Sequence, residues 1–299
     1  MENNHKASLV IPAYEEESGI NNVLIELVNL KKNKPFIDEI IVVDDGSIDK
    51  TAEIVRLYSE FKLIQHSHTR GYGASLKTGI ENAKNDIITI TDADCTYPVD
   101  KIPSLISQLV ENDLDMVVGA RTGKNVKISF VRRPAKWAIG KLANWVTGQP
   151  IPDINSGLRV FKKSSFTPFQ YIVPDGFSFT TTITLGMLAG GYKVKFIPID
   201  YFQRSGKSKI RPIRDTLNFI KLILRIGLYF APLKIFMPIS IGLFLISIGW
   251  GVFTKFVLGE LADVTSLIIA MTGFQIAILA LLAELINHRL PNQYKKLYS

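Results

Sequence analysis

The chain has 299 residues, 47% of them hydrophobic and 21% charged, with one cysteine and a formal net charge of +8. This composition excludes an intrinsically disordered chain and a scaffold stapled by internal disulfides, and the length exceeds that of one small domain. The charge is uneven: residues 1–200 hold 23 Lys and Arg against 23 Asp and Glu, residues 201–230 hold seven against one, and residues 231–299 hold five against three. A neutral first two-thirds, with the basic excess just before the most apolar segment, argues against a nucleic-acid binder.

The first eight residues are polar, and no signal peptide is expected there. Beyond them, β-like apolar runs alternate with helical periodicity. Strands are predicted over residues 7–12, 39–43, 62–65, 86–91 and 115–119, and helices over 17–31, 49–60, 73–83 and 101–112. That alternation predicts an α/β domain whose mostly parallel sheet is covered by helices on both faces. Ligands of such sheets bind beyond the carboxyl ends of the strands, so the chemistry is sought just after each strand.

After the first strand stands Pro12-Ala13-Tyr14-Glu15-Glu16-Glu17, whose acids also suit the start of a helix. The second strand ends in Asp44-Asp45-Gly46-Ser47-Ile48-Asp49. Asp49 is placed to cap the next helix and Gly46 suits a tight turn, but capping leaves two adjacent acids unexplained. Such an acid can accept a hydrogen bond from a uracil imide or a ribose hydroxyl; a plain turn is the competing reading. The loop Thr69-Arg70-Gly71-Tyr72-Gly73-Ala74-Ser75-Leu76-Lys77 opens a helix, and its glycines would let backbone N–H groups approach an anion. It lacks the spacing of a P-loop. Asp92-Ala93-Asp94 follows the apolar Ile87-Ile88-Thr89-Ile90. Two carboxylates so close repel unless a positive charge sits beside them, and a hard divalent cation that also holds phosphate oxygens meets that need. Solvated acids in a strand-end turn are the alternative.

Further on, Arg211, Arg214, Lys221 and Arg225 recur at helical spacing beside an apolar stripe of Ile213, Leu217, Ile220 and Leu224. This predicts a basic amphipathic helix at a lipid interface. No charge interrupts residues 235–254 or 264–283, each long enough to cross a hydrocarbon layer of ~30 Å. Lys255, Glu260 and Asp263 lie between the runs; Arg225, Lys234, His288, Arg289, Lys295 and Lys296 flank them. Basic flanks mark the cytoplasmic side, so an integral membrane protein with two spans and both termini cytoplasmic is expected. The expected organisation is a catalytic domain over 1–210, a juxtamembrane amphipathic helix over 211–230, and a transmembrane hairpin with a short cytoplasmic tail over 231–299.

Taken in order, these pieces resemble the family 2 glycosyltransferases of GT-A fold. The resemblance is carried by Val10-Ile11-Pro12-Ala13-Tyr14-Glu15-Glu16, Val42-Val43-Asp44-Asp45-Gly46-Ser47, Gly71-Tyr72-Gly73, and Asp92-Ala93-Asp94 with Tyr97-Pro98. Gly119-Ala120-Arg121, Asp153-Ile154-Asn155-Ser156-Gly157-Leu158-Arg159, and Arg204 with Gly206-Lys207-Ser208-Lys209 complete it, over nearly all of residues 7–212. With two C-terminal spans, the chain is similar to the membrane-anchored polyprenyl-phosphate glycosyltransferases, the dolichol-phosphate mannose synthase-like branch.

The resemblance implies a Rossmann-like, mostly parallel GT-A domain. Pro12, Tyr14, Glu16 and Asp45 would surround the base and ribose, with Asp44 nearby and Lys77 among the nucleotide-sugar contacts. Asp92 and Asp94 would hold Mg²⁺ or Mn²⁺, with Asp94 the direct ligand of the ion on the diphosphate. Arg121 would meet a phosphate, and Arg132 or Arg133 that of the lipid. Asp153 and Arg159 would sit near the transferred sugar and, with Asp94, form the catalytic set. Arg204, Lys207 and Lys209 would close over the site near the membrane. A homo-oligomer is implied too. The chain departs from the family pattern twice. Relatives often carry Gln where Thr96 stands, as an extra metal contact, and a hydroxyl is a weaker ligand. Many also carry an acid in the segment matching residues 177–182, where this chain has Thr180, Thr181 and Thr182, so no base is assigned there.

The implied acceptor, a polyprenyl monophosphate, has a second pKa of about 6 and is largely a dianion at neutral pH. It needs no general base. A single inverting displacement is expected at a cytoplasmic active site, with basic residues holding the acceptor phosphate in line. Asp153 is expected to position the sugar or stabilise oxocarbenium character rather than accept a proton. The donor is UDP- or GDP-linked; UDP-glucose with undecaprenyl phosphate is the default pair. The alternatives are a catalytically inactive nucleotide-sugar-binding subunit of a glycan assembly system, or a transferase with another acceptor. A processive polysaccharide synthase would carry Gln-x-x-Arg-Trp, which Gln203-Arg204-Ser205 is not.

Overall fold

The computed structural model describes residues 6–33, 36–123, 133–176, 178–202, 212–259 and 264–297. It divides into two compact units, residues 1–144 with 149–222, and residues 145–148 with 223–299. In the first, β1 (Ala7–Ala13), α1 (Ile20–Asn33), β2 (Ile37–Asp44), α2 (Thr51–Arg56), β3 (Lys62–Gln65), α3 (Tyr72–Glu81), β4 (Ile87–Ile90), α4 (Ile102–Glu111) and β5 (Met116–Ala120) alternate as the apolar pattern predicts. Then come α5 (Arg133–Thr147), β6 (Arg159–Lys162), α6 (Lys163–Phe166), α7 (Phe179–Ala189) and β7 (Val194–Pro198), none of which the periodicity singles out.

The seven strands form one sheet in the order β3-β2-β1-β4-β6-β5-β7. All pairings are parallel except those of β6, which runs antiparallel to β4 and β5. The carboxyl ends of the parallel strands therefore share one edge of the sheet with the amino end of β6. Leu9 and Ile11 of β1 join Leu24 and Leu27 of α1 and Leu105 and Leu109 of α4 in the main core. Val10 faces the other way, onto α3. Gly79 of α3 has no side chain because a β-carbon there would lie 2.2 Å from Val10 Cγ1. Pro12 fits within β1 because β4 pairs with that strand only as far as Val10, so no ladder bond on that side requires its missing N–H.

The chain continues in α8 (Pro212–Phe230), α9 (Pro232–Phe253) and α10 (Val264–Leu297). In α8 the side chains of Ile213, Arg214 and Leu217, and all of Arg211, lie outside the described residues. Of the rest, Ile223 and Ile226 are buried, while Leu224 of the expected apolar stripe, Arg225 of the basic one, Leu228 and Tyr229 are exposed. Two stretches, Pro232–Val257 and Val264–Ile286, have mean hydropathies of 2.0 and 2.2 and the length to cross a membrane, and little of either is buried. They contain the two predicted charge-free runs. A π turn over Thr254–Leu258 and the left-handed Gly259 (φ +74°) end the first. The helices are bonded across by small hydroxyls: Ser240 Oγ donates to Gly273 O and Ser247 Oγ to Ser266 O, both at 2.7 Å.

Gly79→Val would push two methyls into Val10, and overpacking of this kind costs ~1–3 kcal/mol. Thermal unfolding followed by circular dichroism at a helix wavelength is expected to show a lower midpoint for the first unit.

Candidate active site

At the shared edge the loop after β1 is laced to the loop after β2. Glu15 N–H donates to Ser47 Oγ and Glu16 N–H to Thr51 Oγ1, both at 2.9 Å. Glu17 N–H donates to Asp49 Oδ2 and Lys50 N–H to Glu17 Oε2, both at 3.2 Å. These bonds occupy residues that the helical pattern would have continued through, so α1 and α2 start at Ile20 and Thr51. Asp49 closes a turn on Thr51 N–H at 3.0 Å instead of capping α2, whose N-cap residue is Lys50 and has no side-chain cap bond. Of the expected base and ribose contacts, Tyr14 is exposed, Glu16 half-buried, and Pro12 and Asp45 buried.

Asp44 and Asp45 are both buried and both tied to the turns around them. Asp44 accepts Ser47 N–H at 3.2 Å and Gln65 Nε2 at 3.0 Å. Asp45 accepts Arg70 N–H at 2.9 Å and Gly71 N–H at 2.7 Å, and pairs with His66 Nδ1 at 2.7 Å. Burial alone would raise the Asp45 pKa, but His66 and the two N–H donors outweigh it and hold the carboxyl below the usual range. His66 Nε2 meets Thr78 Oγ1 at 3.0 Å. Sequence reasoning passed over His66; its position directly after β3, at the edge where the acids gather, was the available signal.

The glycine-rich turn differs from the anion cradle its composition predicts. Gly71 N–H goes to Asp45, and Ala74 N–H donates to Asp175 O at 3.0 Å. β-Carbons at 71 and 73 would lie 2.6 Å from Asp175 O and 2.2 Å from Pro174 O. The glycines thus admit the backbone of residues 174–175. Lys77 pairs with Asp175 Oδ1 at 2.8 Å on the outer side of the same contact.

Asp92 and Asp94 follow β4. Tyr72 OH donates to Asp92 Oδ1 at 2.9 Å. Gly157 makes room for the same carboxylate, since a β-carbon there would lie 2.6 Å from Asp92 Oδ2. Gly157 N–H is in turn held by Tyr97 OH at 2.6 Å. Asp94 Oδ1 accepts the Thr96 hydroxyl at 2.6 Å and Thr96 N–H at 3.2 Å. Among the described residues no three His, Cys, Asp or Glu side chains converge on one point. Two oriented carboxylates fit a hard cation that completes its shell with phosphate oxygens and water, as Mg²⁺ commonly does.

Arg121, after β5, and Asp153, before β6, form a bidentate pair. Arg121 Nε and Nη2 donate to the two Asp153 oxygens at 2.7 and 2.9 Å, and Arg121 N–H donates to Oδ2 at 2.9 Å. The guanidinium lies over the Tyr201 ring, 5.2 Å from its centroid. Burial pushes the Asp153 pKa up, yet Arg121 overrides it and the carboxyl stays below its ordinary value. Arg159 is fully buried, with Nε donating to Ser156 O at 3.2 Å and Nη1 to Thr180 O at 3.0 Å and Thr184 Oγ1 at 2.9 Å. Burial brings its pKa down to about 10, so it remains charged at neutral pH. It clamps the 153–157 loop to α7 from beneath. Thr181 Oγ1 donates to Asn155 Oδ1 on the same loop. Arg132, Arg204, Lys207 and Lys209 lie outside the described residues, as does the side chain of Arg133, the first residue of α5.

Because the Asp153 pKa is depressed, its contribution to stability is complete above the ordinary carboxylate value and is lost only as pH falls below it. Asp153→Asn is therefore expected to reduce turnover by one factor at pH 6 and pH 8; a loss confined to the higher pH would restore a base role. Gly157→Ala is expected to displace Asp92 and lower turnover ~10-fold or more. Its melting temperature should change much less than that of Asp153→Ala, which leaves the partly buried Arg121 without its carboxylate at a cost of ~1–3 kcal/mol.

Comparison with known proteins agrees with this geometry. Residues 8–167 match Glycosyl transferase family 2, and residues 231–288 match the GtrB C-terminal hairpin. A dolichyl-phosphate hexose transferase of Haloferax volcanii is 26% identical over 222 residues, covering 74% of this chain and 93% of the relative. A dodecaprenyl-phosphate galacturonate synthase of Rhizobium johnstonii is 24% identical over 300 residues, covering 93% and 87%. Glucosyl-3-phosphoglycerate synthase of Mycobacterium tuberculosis, crystallised with Mn²⁺, UDP-glucose and phosphoglyceric acid, shares the fold with a TM-score of 0.58 at 18% identity, over 75% of this chain and 80% of that one. With strand-end carboxylates at a GT-A-like sheet edge and a match spanning more than half its length, the chain belongs to glycosyl transferase family 2.

Proposed function

We propose that this protein transfers a hexose from a nucleotide diphosphate sugar to a polyprenyl phosphate, with inversion, at the cytoplasmic face of a membrane. The observation that carries the reading is the combination, in one chain, of the Asp92–Asp94 edge with two helices long and apolar enough to span. Relatives named for dolichyl and dodecaprenyl phosphate acceptors support it. The hairpin keeps the enzyme in the same bilayer as an acceptor that cannot leave it.

The nucleotide binds across the laced loops after β1 and β2, with Tyr14 and Glu16 accessible to it. When bound at Asp92 and Asp94, Mg²⁺ or Mn²⁺ supplies charge neutralisation for the departing diphosphate. Arg121 has five N–H donors, of which Asp153 takes two from the guanidinium, so the remaining ones can orient a phosphate. Asp153, ionised and held by Arg121, is a positioning group and not a proton acceptor. The acceptor phosphate is already ionised at neutral pH, so Thr180, Thr181 and Thr182 meet no need for a base. Arg132 or Arg133, and with them Arg204, Lys207 and Lys209, are assigned to the lipid phosphate by the family resemblance. Both termini are assigned to the cytoplasm by their basic flanks, and a homo-oligomer belongs to the same reading.

Full-length protein in detergent or nanodiscs, given undecaprenyl phosphate, Mg²⁺ or Mn²⁺ and radiolabelled UDP- and GDP-sugars beginning with UDP-glucose, is expected to move label into the lipid fraction. Asp94→Ala should reduce that transfer ~100-fold or more. Label that appears only in free sugar, or transfer that survives Asp94→Ala, would overturn the assignment.

A further inference from the structure

We propose that Thr96 is a positioning residue that makes Asp94 a one-oxygen ligand and so sets which cation the diphosphate site accepts. The inference rests on the metal-assisted reading above. Asp94 Oδ1 accepts the Thr96 hydroxyl at 2.6 Å and Thr96 N–H at 3.2 Å. A carboxylate oxygen has two lone-pair positions, and both on Oδ1 are committed. A cation that took Asp94 through both oxygens would have to break one of these bonds.

The arrangement is built into the turn. Cys95, between the two residues, has φ +58°, a left-handed conformation that folds residues 94–96 tightly enough for Thr96 to reach back with both donors. Thr96 is fully buried, and its carbonyl accepts Phe202 N–H at 3.0 Å, which holds it from the other side. Tyr72 OH treats Asp92 in the same manner, through Oδ1 at 2.9 Å. Oδ1 of each aspartate is thus committed to a protein hydroxyl. Mg²⁺ takes single oxygens in a near-octahedral shell, whereas Ca²⁺ takes six to eight and commonly engages a carboxylate through both. The turn therefore favours Mg²⁺ and the similarly oxygen-bound Mn²⁺ over Ca²⁺. A Thr96 that ligated the ion directly would instead govern the affinity of both ions together.

The test is Mn²⁺ binding to the full-length protein, measured by electron paramagnetic resonance in the presence of UDP and, separately, GDP, with Ca²⁺ as competitor. Wild type is expected to bind Mn²⁺ and to resist displacement by Ca²⁺. In Thr96→Val, Mn²⁺ affinity should fall ~10–100-fold, the usual effect of removing an outer-shell partner, while Ca²⁺ affinity falls less. Thr96→Ser, which keeps the hydroxyl, should retain the wild-type preference. Thr96→Ala replaces the valine variant if melting curves show that the latter does not fold. Equal weakening of both ions, an unchanged preference without the hydroxyl, or a wild type that takes Ca²⁺ as readily as Mn²⁺ would overturn the proposal. No sugar or lipid enters the measurement, so its outcome is separate from that of the transfer assay.

Discussion

The ion pair between Arg121 and Asp153 is the contact around which the site is arranged. It joins the loop leaving β5 to the loop entering β6 through a buried carboxylate and a guanidinium that is only partly covered. The loop it secures, residues 153–157, then meets three other parts of the edge. Gly157 gives space to Asp92, Ser156 O receives Arg159, and Asn155 receives Thr181 from α7. One bidentate contact therefore connects Asp92, the buried Arg159 and α7.

This connection depends on the direction of β6. Were β6 parallel to its neighbours, residues 153–157 would enter the sheet at the opposite edge, away from Asp92 and Arg121. Its antiparallel course brings the residues before it to the same edge as the residues after β4 and β5. The edge that results is rich in carboxylates, and each is stabilised by donors suited to an anion. Backbone N–H groups and His66 hold Asp45, a serine N–H and Gln65 hold Asp44, hydroxyls hold Asp92 and Asp94, and a guanidinium holds Asp153. Carboxylates held by donors of the fold are oriented before any ligand arrives, so that binding one needs little rearrangement of the edge.

Much of the first half was legible without coordinates. Strands with period-two or wholly apolar composition, and helices with an apolar stripe, announce themselves locally, and β1 to β5 and α1 to α4 stand where the pattern predicts. β6 and β7 were not predicted from the local pattern. Their strand character comes from neighbours distant in sequence, Ile87–Ile90 and Met116–Ala120. The candidate residues were found by type and position, yet type does not reveal partner. Lys77 pairs with Asp175, ninety-eight residues away, and the glycines at 71 and 73 answer to the backbone of Pro174 and Asp175.

The alternating α/β class, the acids at strand ends, the two apolar spans and the family are all legible locally, because each is written in composition and order along short stretches. Which acid faces which donor is a matter of folding: it brings Arg121 to Asp153, buries Arg159 against Ser156, Thr180 and Thr184, and turns Thr96 back onto Asp94. Those outcomes depend on distances across the sheet edge, and such distances exist only once strands from opposite ends of the domain have been paired.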